Sequence, residues 1–120
     1  MPLALIVDDN EKNRKLAKTL LDAAGFTTIA AADGAEAVAL AGEHVPDVIL
    51  MDLRLPDMGG EEALRTLRED PTTARIPVVA MSALSLEGSG DWLRAAGFAG
   101  SVSKPIDVGT FADEIRRFCD

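Results

Sequence analysis

The chain has 120 residues, which is the size of one domain with one hydrophobic core. Its 20 acidic and 12 basic side chains give a net charge of -8, which repels nucleic-acid phosphates and argues against direct binding to DNA or RNA. No apolar run approaches the length of a membrane span, no signal peptide is visible, and the single cysteine, Cys119, excludes an internal disulfide. We therefore expect one cytoplasmic domain over residues 1–120, without an attached output domain.

The first half of the chain alternates short apolar runs with helical patterns. The apolar runs predict three strands, over residues 3–7, 26–31 and 47–51. Between the first two runs, apolar residues recur at helical spacing in a segment that Asp9 or Asn10 can cap and that Gly25 can end. A second helix, short and rich in alanine, is predicted over residues 35–42.

The stretch after the third strand leads into a third helix and a fourth strand. The helix is predicted to begin after Gly60 and to run to about residue 69, because Pro71 ends it. The apolar run over residues 78–81 predicts a strand that ends on Ser82.

The last third of the chain carries weaker patterns. Gly88 and Gly90 interrupt the fourth helical segment, so that only residues 91–96 are predicted to be helical. Residues 98–103 have little apolar bulk and predict an edge strand. A fifth helix, capped by Asp107, follows. Its predicted inward stripe consists of Val108, Phe111, Ala112, Ile115 and Phe118.

Five strands alternating with five helices predict an α/β fold with a doubly wound parallel sheet. Short crossover helices require parallel strands, and right-handed connections place helices on both faces of the sheet. Strands one, three and four have the longest apolar runs and belong in the centre, which agrees with the strand order 2-1-3-4-5. The switch point, where such sheets bind ligands, then lies between strands one and three.

Carboxylates end both strands at this predicted switch point. Asp8 and Asp9 follow the first strand, and Asp52 follows the apolar run of the third. Three carboxylates this close repel one another unless a cation neutralises them. Oxygen ligands favour a hard ion, and Mg²⁺ suits a few carboxylates together with water and a phosphate. The sequence therefore predicts a magnesium site at this edge of the sheet.

A hydroxyl and an ammonium group end the next two strands. Ser82 ends strand four and Lys104 ends strand five. Both groups suit the remaining oxygens of a phosphoryl group beside a magnesium site. Asp52 lies between them and the other carboxylates, so it is a candidate nucleophile that would form an aspartyl phosphate.

These motifs resemble the receiver domain of two-component response regulators. The resemblance rests on Asp8-Asp9, on Asp52 with the loop at residues 55–60, on Ser82-Ala83 and on Lys104-Pro105, and it covers essentially the whole chain. It is strongest for stand-alone receivers of the chemotaxis and cell-cycle (DivK-like) type and for receivers attached to hybrid kinases. It implies a flavodoxin-like fold and a phosphoprotein switch in a phosphorelay.

The resemblance implies a role for each matching residue. Asp52 would accept a phosphoryl group from a histidine kinase or a histidine phosphotransfer protein. Asp9 and Asp52 would bind Mg²⁺ directly, Asp8 would act largely through water, and the backbone carbonyl of Arg54 would complete the protein ligands. Ser82 would bind one phosphoryl oxygen.

Lys104 would pair with another phosphoryl oxygen, and the Lys104–Pro105 peptide would be cis, a geometry that proline makes accessible. The chain departs from the family pattern at Ser101, where most receivers have a tyrosine or phenylalanine that moves together with the hydroxyl of the residue at position 82. We therefore expect Ser82 and Ser101 to form a switch in which Ser82 still moves but the output surface changes less. We expect the glycine-broken segment at residues 88–90 to be either a frayed helix start or a segment that orders or melts on phosphorylation.

Other functions fit the sequence less well. A metal-dependent hydrolase with an aspartyl-phosphate intermediate needs a carboxylate two residues after the nucleophile, where this chain has Arg54. A flavodoxin-like ligand binder would bind phosphate after strand one, where Asp8-Asp9 would repel it. We therefore expect no enzyme activity beyond phosphorylation and dephosphorylation of Asp52, a monomer or weak dimer, and output through protein contacts. Asp57 is interpreted as a turn residue and His44 as a solvated side chain.

Overall fold

Five parallel strands form the centre of the protein in a computed structural model that describes residues 2–82, 94–103 and 108–119. The strands are β1 (Leu3–Val7), β2 (Thr27–Ala31), β3 (Val48–Asp52), β4 (Val78–Ser82) and β5 (Gly100–Ser103). Their order is β2-β1-β3-β4-β5, and every pairing is parallel. The predicted doubly wound sheet is therefore confirmed, with β1 and β3 adjacent at its centre.

Helices cover both faces of this sheet. They are α1 (Glu11–Ala23), α2 (Gly34–His44), α3 (Gly60–Glu69) and a C-terminal helix (Phe111–Cys119). Residues 94–96 are also helical and lie where the sequence predicts the end of its fourth helix. Of the helices in the described residues, none is long and apolar enough to cross a membrane.

Local sequence signals set the ends of the first and third helices. The Asn10 side chain accepts hydrogen bonds from the amides of Lys12 and Asn13, so Asn10 rather than Asp9 is the N-cap of α1. Gly25 follows with φ 95°, a left-handed conformation that glycine adopts without steric cost. Asp70 leaves α3 in an extended conformation because Pro71 comes next.

Two apolar layers pack against the two faces of the sheet. One lies under α2 and α3, and its larger members are Leu5, Ile49, Met51, Leu64, Leu67 and Phe98. The other lies under α1 and the C-terminal helix, and its larger members are Ile6, Leu21, Leu50, Met81, Phe111 and Ile115. The central strands are buried on both faces, which explains their continuous apolar sequences.

Three predictions about element ends need correction. Val108 is 65% exposed rather than inward, because it lies in a turn and the C-terminal helix begins only at Phe111. The second helix is longer at both ends than the predicted 35–42, since the Asp33 side chain caps it and Val45 ends it. β5 begins at Gly100, so residues 98 and 99 are not part of the strand. The predicted cap Asp107 lies outside the described residues.

Candidate functional site

The structure brings three carboxylates together at the carboxyl ends of β1 and β3. Asp8 and Asp9 follow β1, and Asp52 is the last residue of β3. One oxygen from each carboxylate lies within 4.8 Å of the others. Asp8 is 1% exposed and Asp52 is 7% exposed, while Asp9 is exposed. The three carboxylates therefore lie close together, as the strand order predicts.

The donor set fits a hard divalent cation. All three side chains offer carboxylate oxygens, and no histidine or cysteine belongs to the cluster. The mutual repulsion of three carboxylates favours a bound cation, and Mg²⁺ keeps several waters when proteins bind it. Exposed Asp9 leaves one side of the cluster open to such waters.

The loop from β1 to α1 is held by two side-chain contacts with residues close in sequence and by one backbone contact with β2. The Asn10 amide donates to Asp8 Oδ1 at 2.9 Å, which fixes the carboxylate against its own loop. The Arg14 guanidinium in the first turns of α1 donates from Nη1 to the Asp8 carbonyl at 2.6 Å. The Asp8 amide donates to the carbonyl of Ala31 at the end of β2. Asp8 is therefore fixed through its side chain, its carbonyl and its amide.

The loop from β3 to α3, residues 53–59, folds back on itself. The Arg54 amide donates to Asp52 Oδ1 at 3.0 Å, and the backbones of Arg54 and Gly59 form an antiparallel bridge. The Gly60 amide donates to the Leu53 carbonyl at 3.1 Å and closes the loop at its base. The backbone of exposed Arg54 therefore orients the carboxylate of Asp52.

Gly60 is required at the base of this loop by close packing. A Cβ atom on Gly60 would lie 2.7 Å from the Asp52 carbonyl oxygen and 3.0 Å from Leu53 Cα. Both neighbours are backbone atoms, one in the last residue of β3 and one in the residue that follows it. Glycine at this position therefore lets α3 begin directly against the end of β3.

Asp57, interpreted from the sequence as a turn residue, has a second role. Its Oδ1 accepts from the Gly34 amide at 2.8 Å and its Oδ2 from the Ala35 amide at 3.0 Å, at the first turn of α2. The Gly34 hydrogen bond is the main reason that the pKa of Asp57 lies below its ordinary value, and the Ala35 amide adds to the effect. Sequence reasoning missed this contact because the partners are 22 and 23 residues apart.

Of the other predicted site residues, Ser82 lies in β4 and Ser101 lies in β5. Ser82 is the last residue of β4, in the position after Met81, which pairs with Asp52. Ser101 is exposed and pairs with Ala80. Lys104 follows β5 in sequence but lies outside the described residues, as do Pro105 and the glycine-broken segment at residues 88–90.

Two residues to which no role was assigned lie away from the carboxylates in the fold. His44 is exposed at the end of α2, with Nε2 4.0 Å from Glu43 Oε2. Cys119 is partly buried in the C-terminal helix, where its thiol donates to the Ile115 carbonyl. Neither belongs to the cluster at the ends of β1 and β3.

The family model of the response regulator receiver domain matches residues 4–116 of the chain. The chain belongs to this family. The polar-differentiation response regulator DivK of Brucella anthropi is 41% identical over 114 residues, which are 95% of this chain and 93% of that protein. The structure of the chemotaxis protein CheY4 of Vibrio cholerae matches with a TM-score of 0.91 and 29% identity, over 98% of both chains.

A third similar protein, the receiver domain of a Pseudomonas aeruginosa sensor histidine kinase, has a magnesium ion coordinated in its active-site cleft. It matches with a TM-score of 0.87 and 30% identity, over 98% of this chain and 97% of that one. The expected receiver fold and family are thus confirmed. This chain is a DivK- and CheY-like receiver of a two-component system, and phosphoryl acceptance from a kinase or phosphotransfer protein is the function of its family.

Proposed function

We propose that Asp52 is the phosphoacceptor of this receiver and that Mg²⁺ binds beside it. The observation that carries the proposal is the cluster of Asp8, Asp9 and Asp52, whose ligand oxygens lie within 4.8 Å of one another. Asp52 is the member that ends a central strand and whose carboxylate accepts the Arg54 amide. Its position and its fixed orientation suit a nucleophile.

The residues of the cluster take different parts in holding the ion. We infer that Asp9 and Asp52 bind Mg²⁺ directly, that Asp8 acts largely through bound water, and that the Arg54 carbonyl completes the protein ligands. The receiver that holds magnesium in its active-site cleft supports the choice of this ion. Bound Mg²⁺ would neutralise charge on the carboxylates and on the phosphoryl oxygens.

The proposed reaction moves a phosphoryl group from a phosphohistidine to Asp52. A carboxylate oxygen of Asp52 forms a bond to phosphorus while the P–N bond of the donor breaks. The electron pair of that bond stays on the ring nitrogen, and the donor leaves as neutral imidazole once one ring nitrogen carries a proton. The Arg54 amide holds Asp52 Oδ1 at 3.0 Å and so fixes the plane of the attacking carboxylate. Attack by water on the aspartyl phosphate later returns the carboxylate.

Ser82 and Lys104 are proposed to bind the phosphoryl oxygens. The position of Ser82 at the end of β4, next to β3, supports its part in this proposal. The proposed role of Lys104 rests on its position in the sequence, directly after the last residue of β5. A hydroxyl and an ammonium group would complement the oxygens that Mg²⁺ does not reach.

We propose that the phosphorylated state is read by protein contacts and not by a reaction on a separate substrate. Exposed Ser101 lacks the aromatic ring that the family pattern has, so the switch would depend on movement of Ser82. Arg54 stands where an aspartyl-phosphate hydrolase needs a carboxylate, which argues against that class. The phosphodonor would be a histidine kinase or a histidine phosphotransfer protein.

The test is incubation with Mg²⁺ and acetyl phosphate, followed by intact-protein mass measurement. We expect one added phosphoryl group on the wild type, none on Asp52→Asn and none when EDTA removes the ion. Asp47→Asn is the matched control, because Asp47 precedes β3 at the opposite edge of the sheet and accepts the Leu3 amide. Phosphorylation of Asp52→Asn at the wild-type rate would overturn the site assignment.

A further inference from the structure

The loop from β3 to α3, residues 53–59, is anchored at its tip to α2. Asp57 binds the amides of Gly34 and Ala35 at 2.8 and 3.0 Å, using one carboxylate oxygen for each. We propose that Asp57 is a positioning residue for the phosphoacceptor site, because it fixes the loop whose backbone orients Asp52. This inference rests on the proposed function of Asp52.

The tip and the base of this loop are mechanically linked. The bridge between Arg54 and Gly59 and the hydrogen bond from Gly60 to Leu53 close the loop into a tight unit. A displacement at Asp57 therefore reaches the backbone of Arg54, three residues away. The Arg54 amide contacts Asp52 Oδ1, so displacement at the tip changes how the carboxylate is held.

A second contact joins the loop to the same turn of α2. The Met58 side chain fills the space that a Cβ atom on Gly34 would occupy. Met58 also packs against the apolar layer under α2 and α3. Because Gly34 is buried and lacks a side chain, the loop lies directly on the helix backbone. Asp57 and Met58 thus hold the loop tip by a polar and an apolar contact.

The hydrogen bonds of Asp57 are not the only cap of α2. The side chain of Asp33 already caps this helix by accepting the Glu36 amide at 2.8 Å. The first amides of a helix lack partners within it, and Asp33 and Asp57 divide them. Asp33 belongs to the chain that enters α2, whereas Asp57 comes from the site loop. Only the loss of Asp57 would therefore release the loop.

This division provides a matched pair of variants. Asp57→Ala and Asp33→Ala each remove one negative charge and one side-chain cap from the same helix turn, but only the first uncouples the loop. Groups that position metal ligands indirectly typically change metal affinity or activity by about 10- to 100-fold when they are removed. We expect Asp57→Ala to weaken Mg²⁺ binding by about tenfold, and Asp33→Ala to change it by less than about twofold.

The affinity is measured by calorimetric titration of the folded, unphosphorylated protein with MgCl₂ alone. Urea unfolding of the same samples reports stability, which both variants should lower. Asp57→Asn is the rescue variant, because its single amide oxygen can accept only part of the original pair of hydrogen bonds, and it should fall between wild type and Asp57→Ala. Phosphorylation by acetyl phosphate at saturating Mg²⁺ should also slow in Asp57→Ala and not in Asp33→Ala.

Equal Mg²⁺ affinity in wild type and Asp57→Ala would overturn the proposal. An equal loss of Mg²⁺ affinity in Asp57→Ala and Asp33→Ala would overturn it too, because that loss would reflect the stability of the helix alone. Failure of the proposed function can be distinguished from failure of this positioning role. If the wild type binds Mg²⁺ but takes no phosphoryl group, the assignment of Asp52 fails while the effect of Asp57 on the ion remains measurable. If phosphorylation occurs on Asp52 and is unaffected by Asp57→Ala, only the positioning role is lost.

Discussion

The two loops that bring carboxylates to the site differ in how far apart in sequence their side-chain hydrogen-bond partners lie. The β1–α1 loop is fixed mainly by its own neighbours, since Asn10 and Arg14 contact Asp8 from two and six residues away. The β3–α3 loop is fixed by α2, through contacts that span 22 and 23 residues. One half of the site is therefore held by local side-chain contacts, and the other half depends on side-chain contacts between its loop and α2.

This difference predicts different responses to mutation. Damage to the local loop should change the contacts of Asp8 and little else. Damage to the long-range loop should change the relation of α2, α3 and Asp52 together, because α3 begins where that loop ends. The experiments below test this contrast, from the largest expected effect to the smallest.

The largest effect is expected for Gly60→Ala at the base of the long-range loop. The new Cβ atom would lie 2.7 Å from the Asp52 carbonyl oxygen, and neither backbone neighbour can rotate away. Such overpacking costs about 1–3 kcal/mol in the free energy of unfolding. Phosphorylation should fall as well, because β3 must shift. Urea unfolding and acetyl phosphate labelling measure the two effects.

Gly42→Ala in α2 is the matched control for that variant. A Cβ atom on Gly42 would meet nothing within 4 Å, so the change should raise the free energy of unfolding by roughly 0.5–1 kcal/mol. A stable, fully active Gly60→Ala protein would show that the start of α3 does not need to lie against β3.

The next effect is expected for Arg14→Ala in the local loop. The Arg14 side chain holds the Asp8 carbonyl at 2.6 Å in a partly buried setting. Loss of a hydrogen bond to a charged group should lower the free energy of unfolding by about 1.5 kcal/mol and weaken Mg²⁺ binding, because Asp8 loses one of its fixed contacts. Lys15→Ala is the matched control, because it removes a positive charge from the next residue, which is exposed. It should leave the free energy of unfolding and the Mg²⁺ affinity unchanged.

The local half of the site could be predicted from the sequence far better than the long-range half. Asn10, Gly25 and Pro71 act on residues a few positions away, so their helix-ending and capping roles could be read from the sequence. The strand ends at Asp8 and Asp52 followed from apolar runs and the strand order. The role of Asp57 could not be predicted in this way. It depends on how α2 packs against the β3–α3 loop, and β3 separates these two segments in the chain.

The prediction for Val108 was wrong because it rested on periodicity alone. Its spacing fits the apolar stripe of the C-terminal helix, but the helix begins three residues later and leaves Val108 in a turn. Likewise, nothing in the sequence around Gly100 indicates that the ring of Phe118 fills the space where a side chain at that position would lie. Periodicity carries no information about either feature.

The smallest effect is a pH dependence that separates wild type from Asp57→Asn. The folded-state pKa of Asp57 is lowered, chiefly by the Gly34 amide, so its contribution to stability is fully present above its unfolded pKa of about 3.9. That contribution is lost as the pH falls through the lower folded-state pKa. The difference between the urea midpoints of the two proteins should therefore be constant from about pH 7 to pH 5 and shrink below about pH 4.

Asp22, whose pKa is lowered by Thr28 and then Lys18, titrates in the same range but is present in both proteins and cancels in the difference. A midpoint difference that stays constant to about pH 3 would contradict the assignment of a stabilising charge on Asp57.

The central claim is that one carboxylate of the acidic cluster, Asp52, accepts the phosphoryl group. The most direct test is to phosphorylate the wild-type protein with Mg²⁺ and acetyl phosphate, reduce the acyl phosphate with borohydride, and locate the resulting homoserine by tandem mass spectrometry. The account predicts homoserine at position 52 alone. Homoserine at position 8, 9 or 57, with unmodified Asp52, would contradict it.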